Sequence, residues 1–154
     1  MRGATISAVT ATHHDDWVEA TTAALNRKGL RKGSARRAVI ELLAAQSCCL
    51  TAQDVFDALR ASSRKVGIAS VYRILDLLTS EGFVQRIDLG SGVARYEPMW
   101  PHGHHHHLVC DNCGKVDAFE DKALERALGR VEATSGYTVA GHDVVLHGTC
   151  ADCR

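Results

Sequence analysis

The sequence contains no apolar run of the length that a membrane-spanning helix needs, about 18 residues, so no transmembrane helix is expected. Its first segment, MRGATISAVTATHHDDW, lacks the continuous apolar core of a signal peptide. The chain also has no HExxH-type or comparable catalytic signature, which argues against a zinc hydrolase or oxidoreductase. These absences predict a cytoplasmic protein that is not an enzyme and does not associate with membranes.

Charge and histidine are unevenly distributed along the chain, although the formal net charge is zero. Residues 1–88 hold 12 Lys/Arg and 9 Asp/Glu, a net of +3, whereas the remainder holds 6 and 9, a net of −3. The densest basic segment is RKGLRKGSARR at 27–37, and seven of the nine histidines follow residue 100. A basic front and an acidic, histidine-rich back predict two domains with different partners.

The front of the chain has the periodicity of four helices followed by a hairpin. The first helix is predicted over 15–28, with Asp15 or Asp16 as its cap, and Thr51 is predicted to cap the third. The runs FVQRIDLG and VARYEP predict two strands joined by a glycine-rich turn. The last three helices and this hairpin have the order of a winged helix.

We expect an α+β protein with a flexible arm at 1–14 and a winged-helix domain at 15–97. Only two prolines are present, Pro98 and Pro101, and they bracket a break in pattern that predicts an interdomain hinge at 98–103. The segment 104–154 has the pattern strand, strand, helix, strand and predicts a small α/β domain.

Four of the six cysteines form two CxxC pairs near the two ends of this second domain: Cys110, Cys113, Cys150 and Cys153. Two such pairs supply the four tetrahedral thiolates of a structural zinc site, with no open position. A domain of about 50 residues has a small core, so a metal that holds it together is physically reasonable. Redox-active dithiols and unpaired buried cysteines are the alternative interpretations.

The segment HGHHHHLVCDNCG contains a run of adjacent histidines. On an extended segment His104 and His106 would face one side and His105 and His107 the other, so one run could serve two metal sites. Each site would need further ligands, for which the candidates are Cys49, Glu97, Glu120, Asp121, Glu125, His142 and His147. An affinity tag or an unstructured metal-binding tract is the alternative, but the run is internal and leads directly into a CxxC pair.

The predicted fourth helix carries polar side chains near its N-terminal end. Ser70, Tyr72 and Arg73 lie where a recognition helix contacts the major groove. The basic segment 27–37, which includes Arg31 and Arg36, would neutralise the flanking phosphate backbone of double-stranded DNA. Solvated charges on an accessory domain are the alternative.

The motifs GIASVYRILDLLTSEGFV, ARYEP, HHHHLVCDNCGKV and HGTCADC together resemble the ferric uptake regulator family of metal-dependent repressors. The resemblance covers roughly residues 16–154. It implies an N-terminal winged helix, a C-terminal dimerisation domain, and a homodimer that binds palindromic operators when it is loaded with metal.

The resemblance also implies a role for particular residues. It assigns structural zinc to Cys110, Cys113, Cys150 and Cys153. It assigns a site within the dimerisation domain to His104, His106, Glu125 and His142. It assigns a sensory site at the hinge to Cys49, Glu97, His105 and His107, and DNA contacts to Arg31, Ser70, Tyr72 and Arg73.

The chain departs from the family pattern at several positions that bear on the metal. Gln85 and Met99 stand roughly where zinc-type members often carry an aspartate and a cysteine, so the pattern matches neither the iron-type nor the zinc-type subgroup cleanly. Cys49 stands where iron-type members usually carry histidine, and a thiolate favours Zn²⁺ over Fe²⁺ or Mn²⁺. Ala118 stands where many members carry an acidic ligand. The sequence therefore favours a regulator of zinc uptake, with an iron, manganese or peroxide-sensing regulator as the alternative within the family. A metal buffer is a further alternative.

Overall fold

The computed structural model describes residues 11–30, 33–46, 48–90, 92–100 and 105–154. The chain divides into two compact units between residues 103 and 104, and each is described by itself. No helix of the described residues is both long enough and apolar enough to span a membrane.

The described residues of the first unit form four helices packed on one apolar core. They are α1 (Ala11–Arg27), α2 (Ser34–Ala44), α3 (Ala52–Ala61) and α4 (Ile68–Ser80). Val39, Val55 and Val71 are each completely buried, as are most of the apolar side chains at helical spacing around them. The predicted inward faces of α2, α3 and α4 are thus the faces that form the core.

The helix ends follow local sequence signals, with one correction. The Thr51 side chain accepts a hydrogen bond from Asp54 N at 3.0 Å, and the Asp54 carboxylate accepts one from Thr51 N at 2.9 Å, so the predicted cap of α3 is confirmed as a capping box. The prediction that α1 starts at Asp15 or Asp16 is wrong, because α1 begins at Ala11. Residues 11–14 include neither glycine nor proline, so nothing in them stops the helix. Residues 1–10 of the predicted arm lie outside the described residues.

A three-stranded sheet completes the winged helix. Strands β2 (Val84–Asp88) and β3 (Ala94–Pro98) form the predicted antiparallel hairpin, and β1 (Leu50–Thr51) pairs with the other edge of β3. The sheet order is β1-β3-β2. The pair of Pro98 with Val84 is the last of the hairpin, at the end away from its turn.

The second unit is a three-stranded sheet with one helix. It contains β4 (His106–Cys110), β5 (Val116–Phe119), α5 (Lys122–Ser135), β6 (Val145–Gly148) and a short 3-10 helix (Ala151–Cys153). Strand β4 is central, antiparallel to β5 and parallel to β6. Among residues 105–154 the buried ones are His106, His107 and Cys110, and none of them belongs to α5. A core of this size offers little apolar stabilisation.

Candidate metal centres

The four CxxC cysteines form one cluster at the end of β4. The parallel pairing of β4 with β6 places Cys110 opposite Gly148, which brings the knuckle 110–113 beside the knuckle 150–153. The four sulfur atoms all lie within 4.8 Å of one another, and the Sγ atoms of Cys113 and Cys150 are 3.8 Å apart. Two thiolates on a tetrahedral zinc with bonds of about 2.3 Å are separated by about 3.8 Å, so these residues fit a Zn²⁺ ion.

Backbone N–H groups stabilise a thiolate in this cluster. Cys150 N donates to Cys110 Sγ at 3.3 Å. This hydrogen bond, with others from the backbone of Cys113 and Asn112, lowers the pKa of Cys110 to about 6. Hydrogen bonding with the Cys113 and Cys150 thiols instead raises the pKa of Cys153 to about 12. A divalent cation that binds the four sulfurs would displace the protons that remain on the cluster.

A second cluster joins β4, α5 and the segment before β6. His106 Nε2 lies 2.6 Å from Glu125 Oε1, and His142 Nε2 lies 3.2 Å from Glu125 Oε2. Asp121 caps α5 by accepting hydrogen bonds from the backbone of Ala123 and Leu124, which fixes the first turn of the helix where Glu125 is located. The structure brings these two imidazoles around one carboxylate, an arrangement that suits a divalent cation. His104, the other residue predicted here, lies outside the described residues.

In the first unit, Cys49 and Glu97 are neighbours across the sheet. Leu50 of β1 pairs with Tyr96 of β3, so the antiparallel register places Cys49 opposite Glu97. Glu97 also pairs with Gln85 of β2, whose amide Nε2 donates a hydrogen bond to the Glu97 carboxylate. Cys49 and Glu97 are only 4% and 2% exposed. A buried carboxylate whose orientation is fixed by a hydrogen bond is preorganised to act as a metal ligand.

Cys48, which directly precedes Cys49, is a candidate ligand that the sequence did not predict. Its Sγ lies 3.8 Å from that of Cys49. A hydrogen bond with the Cys48 thiol raises the pKa of Cys49 above its ordinary value, and burial raises it further. The adjacency of the two cysteines in the sequence was the signal that could have identified it.

In the second unit, His105 and His107 lie side by side at the start of β4. Their ring centroids are 5.1 Å apart in an edge-to-face arrangement. His107 pairs with Ala118 of β5 and Val145 of β6, and it is buried. The strand therefore holds these two imidazoles close together, while the intervening His106 is the one that contacts Glu125.

The predicted DNA-contacting side chains of α4 lie on its outer face. Tyr72 is 48% exposed, Arg73 is exposed and Ser70 is half-buried. Arg36 is half-buried on α2, in a groove of about 340 Å³ between α1 and α2, and Arg31 lies outside the described residues. A hydroxyl and a guanidinium that project from the first turns of an exposed helix can contact phosphates and base edges.

Comparisons with known proteins agree with this architecture. The sequence profile of the Ferric uptake regulator family matches residues 27–147. The ferric uptake regulation protein of Shigella flexneri is 34% identical over 134 residues, which are 85% of this chain and 90% of the relative.

Two solved structures are similar to this chain over most of its length. The ferric uptake regulator of Vibrio cholerae is 30% identical with a TM-score of 0.75, over 84% of this chain and 98% of that one. That of Helicobacter pylori, a protein with three functional metal-binding sites, is 26% identical with a TM-score of 0.79, over 91% and 93%. The chain therefore belongs to the ferric uptake regulator family, whose members are metal-responsive, DNA-binding transcriptional regulators and not enzymes.

Proposed function

We propose that this protein is a zinc-responsive repressor of zinc-uptake genes, which acts in the cytoplasm as a homodimer on palindromic operators. Its sensory ligands are Cys49, Glu97, His105 and His107. The observation that carries the metal assignment is Cys49, a buried thiol opposite the Glu97 carboxylate in the sheet. Thiolate and imidazole together form a soft donor set that favours Zn²⁺ over Fe²⁺ or Mn²⁺.

The sensory ligands come from both units, and this division gives the mechanism. Cys49 and Glu97 belong to the first unit, and His105 and His107 to the second. An ion that binds all of them stabilises one arrangement of the two units over others. Metal can shift that equilibrium only by its differential affinity for the two states, so the arrangement that completes the site must be the one that matches operator half-sites.

The other two clusters have supporting roles in this proposal. Zinc at Cys110, Cys113, Cys150 and Cys153 has a closed shell and stabilises the second unit, which serves as the dimerisation domain. His106, Glu125 and His142, with His104, bind a further divalent cation that links β4 to α5.

DNA recognition is assigned to α4 and to the basic segment 27–37, which runs into the first turn of α2. Ser70, Tyr72 and Arg73 contact the major groove and its phosphates, and Arg31 and Arg36 contact the flanking backbone. The exposure of Tyr72 and Arg73 supports this role.

Operator binding by the full chain with its four-cysteine zinc in place tests the proposal. A duplex selected from a random pool by the zinc-loaded protein serves as the probe, and Zn²⁺, Fe²⁺ and Mn²⁺ are added from separate metal buffers. We expect the wild-type protein to bind the operator tightly at the free zinc concentration of a cell. We expect the Cys49→Ala variant to keep its fold and structural zinc but to need far more zinc for operator binding. Unchanged metal dependence in that variant would exclude Cys49 from the sensory site.

Iron is the second candidate, because the Shigella flexneri relative is named as a ferric uptake regulation protein. In that case Fe²⁺ at its cellular free concentration, and not Zn²⁺ at its own, would bring the protein to the operator. The same titration distinguishes the two metals.

A further inference from the structure

The first unit contains a second thiol at the position of the proposed sensory ligands. Cys48 and Cys49 lie between the end of α2 and the start of β1, immediately before the capping box that begins α3. The pairing of Leu50 with Tyr96 anchors this segment to β3, and the continued antiparallel register places Cys49 opposite Glu97. A segment fixed by a strand and a helix cap on its C-terminal side presents its side chains with little freedom.

The distance between the two sulfurs is that of two ligands on one metal ion. Sγ of Cys48 and Sγ of Cys49 are 3.8 Å apart. The Sγ atoms of Cys113 and Cys150, in the four-cysteine cluster, have the same 3.8 Å separation. Both match the edge of about 3.8 Å that a tetrahedral zinc with bonds of about 2.3 Å would impose. A disulfide would instead require sulfurs about 2.05 Å apart.

We propose that Cys48 is a metal ligand together with Cys49, so that the sensory ion is held by two thiolates from the first unit. The remaining positions are filled from Glu97, His105 and His107. This inference rests on the proposed function and deepens it, because a dithiolate changes which ions the site accepts. Two thiolates suit a thiophilic ion such as Zn²⁺, whereas Fe²⁺ and Mn²⁺ in regulatory sites take harder nitrogen and oxygen donors.

Burial of this site strengthens the selection. Cys49 is 4% exposed and Cys48 is half-buried. A thiolate without a neighbouring positive charge is unfavourable where solvent is excluded. A cation that bonds both sulfurs offsets their negative charge and is therefore favoured at this site. With a second thiolate, the sensory site therefore favours ions that bond sulfur strongly.

Cobalt spectroscopy provides a direct test, since thiolate-to-Co²⁺ charge-transfer absorption increases with each sulfur bound. Full-length protein with zinc in the four-cysteine site is titrated with Co²⁺, alongside Cys48→Ser, Cys49→Ser and the double variant. We expect each single variant to retain about half of the wild-type charge-transfer intensity, as one of two thiolates is lost, and the double variant to retain none. Unchanged zinc content and circular dichroism establish that each variant is folded.

The outcomes separate this inference from the function on which it rests. Full intensity in Cys48→Ser with complete loss in Cys49→Ser would overturn the role of Cys48 and leave the proposed sensory site intact. Absence of a charge-transfer band in the wild-type protein would overturn both.

A measurement on the wild-type chain avoids any dependence on variants. Trypsin releases the segment 38–60 as one peptide that contains Cys48 and Cys49 and no other cysteine. With zinc only in the four-cysteine site, we expect maleimide to label Cys48, and we expect Zn²⁺ added until all remaining sites are saturated to protect it. Labelling of Cys48 that persists at saturation would contradict its ligation.

Discussion

The backbone N–H of Cys150 donates a hydrogen bond to the sulfur of Cys110 at 3.3 Å, so one CxxC knuckle supports a thiolate of the other. The two knuckles are brought together only because β4 and β6 are paired in parallel. We therefore expect folding of the second unit to be coupled to assembly of its zinc site.

Replacement of Cys150 by serine should consequently remove the zinc and unfold the second unit alone. Structural zinc contributes on the order of 10 kcal/mol in small domains, far more than the few buried residues of this unit can replace. Hydrogen exchange by mass spectrometry should show residues 105–154 deprotected while α2, α3 and α4 stay protected. Cys48→Ser is the matched control and should keep this zinc. Full zinc content in Cys150→Ser would contradict the assignment.

The Glu125 carboxylate bridges His106 and His142, so Glu125→Gln should lose the cation of the second cluster. An amide binds a divalent cation more weakly than a carboxylate does. Metal analysis should find one equivalent fewer than in wild type, with the four-cysteine zinc retained. Glu120→Gln, which changes an exposed carboxylate just before α5, should leave the metal content unchanged. An equal loss in both variants would show that Glu125 has no specific role.

Gln85 orients the Glu97 carboxylate through its amide, so it acts on the sensory site without being a ligand. Loss of such an outer partner typically weakens metal binding by about 10-fold to 100-fold. In Gln85→Leu, the free zinc concentration at half-maximal operator binding should rise by about that factor, while operator affinity at saturating zinc stays the same. Gln53→Leu, which removes an exposed Gln–Asp hydrogen bond on α3, is the control. A reduced affinity at saturating zinc would indicate damage to the DNA interface instead.

Arg73 on the exposed face of α4 should contribute a phosphate contact. Arg73→Ala should weaken operator binding and lower the slope of log K against log salt by about one unit. Fluorescence anisotropy at several salt concentrations measures both quantities. Arg130→Ala, in the exposed part of α5, should change neither. A slope identical to wild type in Arg73→Ala would remove this residue from the interface.

Some of the architecture follows from local sequence patterns. The Thr51 cap and the hairpin depend on residues within a few positions of each other, and these were predicted correctly. The CxxC spacing by itself also predicts the chemistry of the four-cysteine cluster.

Other features depend on contacts that no local pattern encodes. Strand β1 has only two residues and exists because β3 is available to pair with it. That pairing places Cys49 opposite Glu97, although the two residues are far apart in the sequence. The start of α1 was misplaced because Asp15 and Asp16 have the chemistry of a cap, whereas the helix extends past them to Ala11.

The response of a Cys49→His variant tests the central claim, that this thiol selects zinc. Sites built from nitrogen, oxygen and sulfur donors generally bind Zn²⁺ more tightly than Fe²⁺, so the affinity for one metal alone is not informative. The informative quantity is the free Fe²⁺ concentration at half-maximal operator binding divided by the corresponding free Zn²⁺ concentration. This ratio is measured by anisotropy with metal buffers for the wild-type and variant proteins, each with its four-cysteine zinc intact. We expect this ratio to fall at least about 10-fold in Cys49→His, since an imidazole replaces a zinc-preferring thiolate. An unchanged ratio would show that Cys49 does not select zinc.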